Sequence, residues 1–258
     1  MAFAVCTPLS ATAFMQSDSV TAVCDSSVVK TEETKSDYEF KTAKLILPLA
    51  LTGLGAWGVD NDFLVKQKHK LQDEIQDISG GHRMRVDDYL RYVPEAMSLV
   101  LPYITNSRHL NRRDRWVLRA NAYLIMGTLV YGTKKLVNEV RPSGRDNDSF
   151  PSGHTASTFM AAEIVRIEYG GWYGAAAYAV ACGVGFMRMY NNDHWLSCVV
   201  GGAGMGILSA RLGYWLLPVE RKLFGWDKSK ERSTEIAALP FFNTYGGFHA
   251  GASVAVRF

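Results

Sequence analysis

The sequence predicts an all-α protein, a bundle of about six core helices, followed by a short β-like tail. Apolar segments of helical length (Met97–Ile104, Trp116–Val137, Thr155–Arg166, Trp172–Met187 and Cys198–Leu217) recur between polar clusters. Helix-breaking residues such as Pro142 and the pair Gly170-Gly171 fall where those segments stop. Near the end the period changes to two: Phe248, Ala250, Ala252, Val254, Val256 and Phe258 alternate with small or polar residues, which argues a strand.

Taken in order, residues 1–42 read as a signal-like or unstructured segment. Ala2–Phe14 is apolar with an A-x-A-like stretch at Ser10–Ala13, and Ser17–Tyr38 is polar and poor in large apolar residues. The main domain is expected over 43–218. It opens with Leu45–Gly58, an uncharged run too short to span a bilayer, hence a short or interfacial anchor or a core helix. Asn61–Ile78 reads as an amphipathic surface helix. Residues 219–258 form a basic linker and the β-like tail, with Phe241-Phe242-Asn243 a possible hairpin partner strand. Small residues at Gly201, Gly202, Ala203, Gly204 and Gly206 suit the last long helix to close packing.

Composition narrows the function. At 258 residues the chain can bury a sizeable core, and a net charge of +3 leaves no nucleic-acid footprint. Four cysteines lack CxxC or metal-ligand spacing. Cys182 and Cys198 should not bridge, and Cys182 reads as a free, buried thiol.

Three polar clusters carry the chemistry. Lys134 and Arg141 lie seven apart, about 20° apart on a helix that Pro142 should stop, so two cations converge at one helix end. Ser152-Gly153-His154 follows Pro151 and opens an apolar run. That is the pattern of a helix N-terminus, whose free N–H groups bind anions. Arg188 and His194 complete the set where a helix gives way to a loop. A lysine, two arginines, a helix N-terminus and two histidines suit a phosphate-sized oxyanion, with an acid and a nucleophile beside it. The protein's own cations supply the charge, and no metal or cofactor need be invoked.

Lys134-x6-Arg141-Pro142, Pro151-Ser152-Gly153-His154 and Arg188-x5-His194 together resemble the three-part signature of type 2 phosphatidic acid phosphatases (PAP2). That family shares its helical fold and oxyanion site with vanadium haloperoxidases. The resemblance implies a metal-independent phosphatase of a lipid phosphate monoester or diphosphate, acting through a phosphohistidine. His194 would be the nucleophile and His154 the acid and base. Lys134, Arg141, Arg188, Ser152 and Gly153 would hold the phosphoryl oxygens. One position departs: four residues after His194, where the family has a histidine-orienting aspartate, stands Cys198. A thiol is a poor acceptor and uncharged near neutrality. Activity is therefore expected to be weakened, and the alternative is a non-catalytic binder of phosphate or phospholipid. Halide oxidation on the same fold would need a bound vanadate and nothing in the sequence calls for it.

All the clusters fall at one end of the predicted helices, and the basic stretches Arg108–Arg115 and Arg221–Arg232 at the other. With positive charge inside, the site would face the periplasm of a bacterial cell envelope, in a membrane-associated protein. Charged Arg119, Glu163, Arg166 and Arg211 argue against full spans and keep a soluble periplasmic protein as the alternative.

Overall fold

The structure, a computed structural model, describes residues 41–105, 110–226, 235–243 and 249–257. Residues 1–40 of the signal-like segment, and 108–109 and 227–232 of the two basic stretches, lie outside these residues. Among the described residues eight helices run α1 (Ala43–Asp60), α2 (Asp62–Ser79), α3 (Asp87–Leu90), α4 (Val93–Ile104), α5 (Arg112–Val137), α6 (Gly153–Tyr169), α7 (Gly171–Tyr190) and α8 (Leu196–Leu223). Strands β1 (Glu235–Asn243) and β2 (His249–Arg257) pair antiparallel, Glu235 opposite Arg257 and Asn243 opposite His249. The helical fold class and the hairpin tail are as the sequence predicts. The expected boundary at 218 is not a break, since α8 continues through Pro218 to Leu223.

Helix α8 is the centre, packed by α1, α5 and α6, with α7 folded back on α6. Its small residues explain why it can be. A Cβ on Gly206 would sit 2.2 Å from the Ala156 carbonyl oxygen, and one on Gly204 2.5 Å from the Thr52 amide. Two helices approach there at backbone distance, which any side chain would prevent. Leu118, Ala122, Met160, Ile164, Ala210 and Leu217 fill the core between α5, α6 and α8.

Charges inside the bundle are paired. Glu163, fully buried, accepts from Arg166 (2.6 and 2.7 Å) and Tyr178 (2.6 Å), and lies 2.8 Å from Arg211 Nε. Arg119 donates to Ser98 at 2.7 Å. A low-dielectric interior tolerates such groups only with partners. Of the four charges the sequence sets against bilayer spans, Glu163 and Arg119 are buried and Arg211 largely so, whereas the Arg166 side chain is 39% exposed and pairs with Glu163 from the rim. Among the described residues one helix, α8, is long and apolar enough to cross a membrane, and 72% of that window is buried in the bundle. The apolar side chains more than half exposed on α1 are Ile46, Leu47, Leu49, Leu54 and Trp57.

Two local expectations need correction. Helix α5 ends at Val137, not at Pro142, because Asn138 takes the left-handed conformation (φ 46°) that closes it. Lys134 and Arg141 therefore do not share a helical face. Cys182 is free but exposed, because it falls on the outward face of α7.

Candidate active site

The site assembles where α5 ends, α6 begins, α7 ends and α8 begins. His194 sits in the loop from α7 to α8 and is buried. Its Nδ1 lies 2.8 Å from the Ser149 carbonyl oxygen. A carbonyl only accepts, so Nδ1 carries the proton. Burial first, then Arg188, Arg141 and Lys134, hold this imidazole's pKa well below its ordinary value. The ring is neutral at pH 7, with an unprotonated Nε2 free to meet an electrophile.

His154 stands in the first turn of α6. Arg91, at the end of α3, approaches its Nε2 at 2.9 Å, and Asp88 Oδ1 lies 3.5 Å away. A guanidinium cannot accept, so Nε2 does, and this ring too is neutral. Burial, then Arg188 and Arg91, lower its pKa to about 4, outweighing the nearby acids.

Lys134 and Arg141 converge after all, on Asp148. Arg141 donates to Asp148 Oδ1 from Nε (2.9 Å), with Nη2 at 2.8 Å, and Lys134 donates to the Asp148 carbonyl. Lys134 Nζ lies 3.7 Å from Asp148 Oδ2. Burial alone would raise the Asp148 carboxyl. The Arg141 hydrogen bond and the charges of Lys134 and Arg141 outweigh it and hold the group below the ordinary range. The side chain is half exposed, so the cradle is filled by a carboxylate that can swing out to water.

Arg188, buried at the end of α7, is held from two sides. Its Nη1 donates to Asp87 at 2.6 Å and its Nη2 lies 3.0 Å from Asp193, which Arg83 also holds. Its Nε is buried without a hydrogen-bond partner. Ser152 caps α6, with its Oγ accepting from the Thr155 hydroxyl at 2.9 Å. Gly153 is half-buried, and a Cβ there would meet only Val130 Cγ1 at 3.9 Å. Packing does not demand glycine at 153, unlike Gly204 and Gly206, so the space above that helix end is open.

Cys198 is buried one turn into α8, and its thiol engages Glu139 Oε2 (3.0 Å) and Ser149 Oγ (3.1 Å). The sequence reading put it at a vacated orienting position. The acceptor for His194 is instead the Ser149 backbone. Arg91, Asp87, Asp88, Ser149 and Asp148 have contact roles that the motif reading did not assign. Asp148 and Ser149 lie between the first two motifs, which is the sequence signal they carry, whereas Asp87, Asp88 and Arg91 lie outside every motif. Trp195 packs rather than lines the site, donating from Nε1 to the Val140 carbonyl at 2.8 Å.

A neutral buried imidazole among three cations, with a second imidazole and a helix N-terminus at one end of a helical bundle, is an arrangement able to hold a tetrahedral oxyanion beside an unprotonated ring nitrogen. Residues 115–222, which hold Lys134 through Cys198, match the family described as the PAP2 superfamily. The chain belongs to that superfamily. A lipid A 1-phosphatase of Porphyromonas gingivalis is 32% identical over 186 residues, covering 68% of this chain and 38% of that protein. The chain thus spans well under half the length of that relative. Two solved structures are similar at low TM-score. The crystal structure of Aquifex aeolicus LpxE (0.41, 22% identity) covers 55% of this chain and 92% of that one. A transmembrane PAP2-type phosphatidylglycerolphosphate phosphatase from Bacillus subtilis (0.38, 19% identity) covers 72% and 98%.

Proposed function

We propose that this chain is a phosphatase of a lipid phosphate monoester or diphosphate, working through a phosphohistidine on His194. The observation that carries the reading is the Ser149 carbonyl on His194 Nδ1, which leaves Nε2 unprotonated among cations. Nε2 attacks phosphorus, the P–N bond forms, and the bond to the leaving oxygen breaks. Lys134, Arg141, the unpartnered Arg188 Nε and the Ser152/Gly153 backbone hold the equatorial oxygens, where transition-state charge is spread. His154 passes a proton to the leaving oxygen. It then takes one from the water that cleaves the P–N bond and releases phosphate.

Because both free imidazoles are neutral near pH 7, the proton for the leaving group enters with the substrate monoanion. Arg91 must yield His154 Nε2 as the ester binds, and Asp148 must yield Arg141. The lipid A 1-phosphatase relative supports a glycolipid phosphate as one substrate to test. The exposed apolar side chains of α1 support membrane association, and the basic stretches at the opposite end support a site toward the periplasm. Residues 43–223 form the catalytic unit in this reading. An oriented His194 favours catalysis over the binder alternative.

The test is phosphate release from a panel of lipid A 1-phosphate, phosphatidate and polyprenyl diphosphate. The natural chain should release phosphate and yield an acid-labile phosphoenzyme, and His194→Ala should do neither. Release that survives His194→Ala, or silence on every substrate, overturns the proposal.

A further inference from the structure

Ser149 is held at every polar group it has. Its N–H donates to the Glu139 carbonyl at 2.9 Å, its Oγ lies 3.1 Å from Cys198 Sγ, and its carbonyl accepts from His194 at 2.8 Å. Cys198 in turn donates its S–H to Glu139 Oε2 at 3.0 Å, and its carbonyl accepts the Ser152 amide at 3.0 Å. Glu139 thus grips Ser149 twice, by its backbone directly and by its carboxylate through the thiol. The other carboxylate oxygen meets Lys68 Nζ of α2 at 2.5 Å, and both side chains are more than 90% buried. Burial, then Glu139, push the Cys198 thiol up to about 12, so it stays a neutral donor.

We propose that Glu139, acting through Cys198 and Ser149, is the positioning carboxylate of His194. It would do from the loop after α5 what an aspartate on α8 would do directly. The chemistry is consistent at each link. A carboxylate can only accept, so the thiol must donate to it. The lone pairs of sulfur are then left for the Ser149 hydroxyl. The Ser149 carbonyl is pinned by that hydroxyl and by its own amide, and fixes the His194 ring and tautomer. Lys68 Nζ, 2.5 Å from the other Glu139 oxygen, anchors the carboxylate that receives the thiol. Cys198 is therefore a link that a carboxylate at 198 would break, since it would stand against Glu139.

This inference rests on the phosphatase reading for its kinetic arm only. Three full-length variants are compared with the natural chain: Glu139→Gln, Cys198→Asp, and the double change Glu139→Gln with Cys198→Asp. Each is assayed for kcat and KM, and His194 is followed by 15N NMR of the imidazole. Outer-shell partners of metal-ligating histidines are worth about 10–100-fold in activity, and the same scale is expected for a histidine held to attack phosphorus. Glu139→Gln is expected to lower kcat by about tenfold or more with KM within about twofold, and to let the Nε2-protonated tautomer appear. Cys198→Asp alone should impair, and the double variant should recover kcat toward the natural value. Should Glu139→Gln misfold around an unpaired Lys68, Lys68→Met with Glu139→Gln removes both charges and is read the same way. A folded Glu139 variant with unchanged kcat and an unchanged Nδ1–H signal overturns the inference. If the natural chain releases no phosphate, the phosphatase reading fails, and the tautomer measurement still decides this one.

Discussion

Asp148 fills the cation cradle, so a phosphate must compete with it, and Asp148→Asn should tighten phosphate binding. Its Oδ1 receives Arg141 Nε at 2.9 Å and sits 2.8 Å from Nη2, with Lys134 Nζ 3.7 Å from Oδ2. Buried charge-assisted bonds of this kind contribute about 1.5–3 kcal/mol. The Asp148 side chain is 50% exposed, and solvent-screened pairs contribute only about 0.2–1 kcal/mol. About 1 kcal/mol is therefore the reasonable cost of displacement, or roughly fivefold in an equilibrium constant. Asparagine keeps one oxygen for Arg141 and removes the charge. The inhibition constant for inorganic phosphate and the KM for a soluble monoester should both fall about fivefold, with kcat within about twofold. Titration calorimetry of phosphate on the same variant checks the binding step alone. Unchanged affinity would mean that the carboxylate and the ligand do not compete. Weaker affinity would mean that Asp148 organises the cations rather than blocking them, and either result refutes the reasoning.

Further outcomes follow from the same geometry. With His154 near pKa 4, the reacting proton comes from the ester monoanion, whose second pKa is about 6. The kcat/KM of a soluble monoester should thus fall about tenfold per pH unit above about 6, and an optimum above pH 7.5 would contradict it. Stability has its own pH signature. His154 and His194 both have folded pKa values below the unfolded 6.5, so the unfolded chain binds more protons beneath that pH. Denaturant midpoints should therefore drop as pH falls from 6.5 toward 4, and His154→Gln should flatten that slope. A parallel slope in the variant would place the effect elsewhere. Gly206→Ala drives a Cβ to 2.2 Å from the Ala156 carbonyl, so α6 and α8 must part. Overpacking at backbone contact costs about 2–3 kcal/mol, or roughly 5–10 °C of Tm for a chain of this size. A shift under about 2 °C would mean that the helices can yield there.

Much of the bundle was legible because helix identity is a local property. The apolar lengths, the Gly170-Gly171 turn and the small-residue run of α8 reflect periodicity and steric size, which adjacent residues carry. The candidate residues of the site were legible for a different reason. Lys134, Arg141, the Ser152 to His154 run, Arg188 and His194 each lie inside a motif of fixed spacing. Even so, one expectation reached the right convergence by the wrong geometry. Lys134 and Arg141 meet on Asp148 through a loop, because Asn138 ends the helix before a shared face could form.

The sequence by itself determined the fold class, the order of the elements and the candidate residues for an oxyanion site. Tertiary structure decided their partners, and with them their protonation states. Arg91 reaches His154 across 63 residues and Asp87 reaches Arg188 across 101, and no local pattern encodes either pair. Cys198 looked like a lost orienter while only its own helix was in view. Burial beside Glu139 and Ser149 makes it a donor in another arrangement. The physical reason is common to all of these. A buried polar group must find a partner wherever the packed helices bring one within reach, and that is a property of the packing, not of the neighbouring residues in the chain.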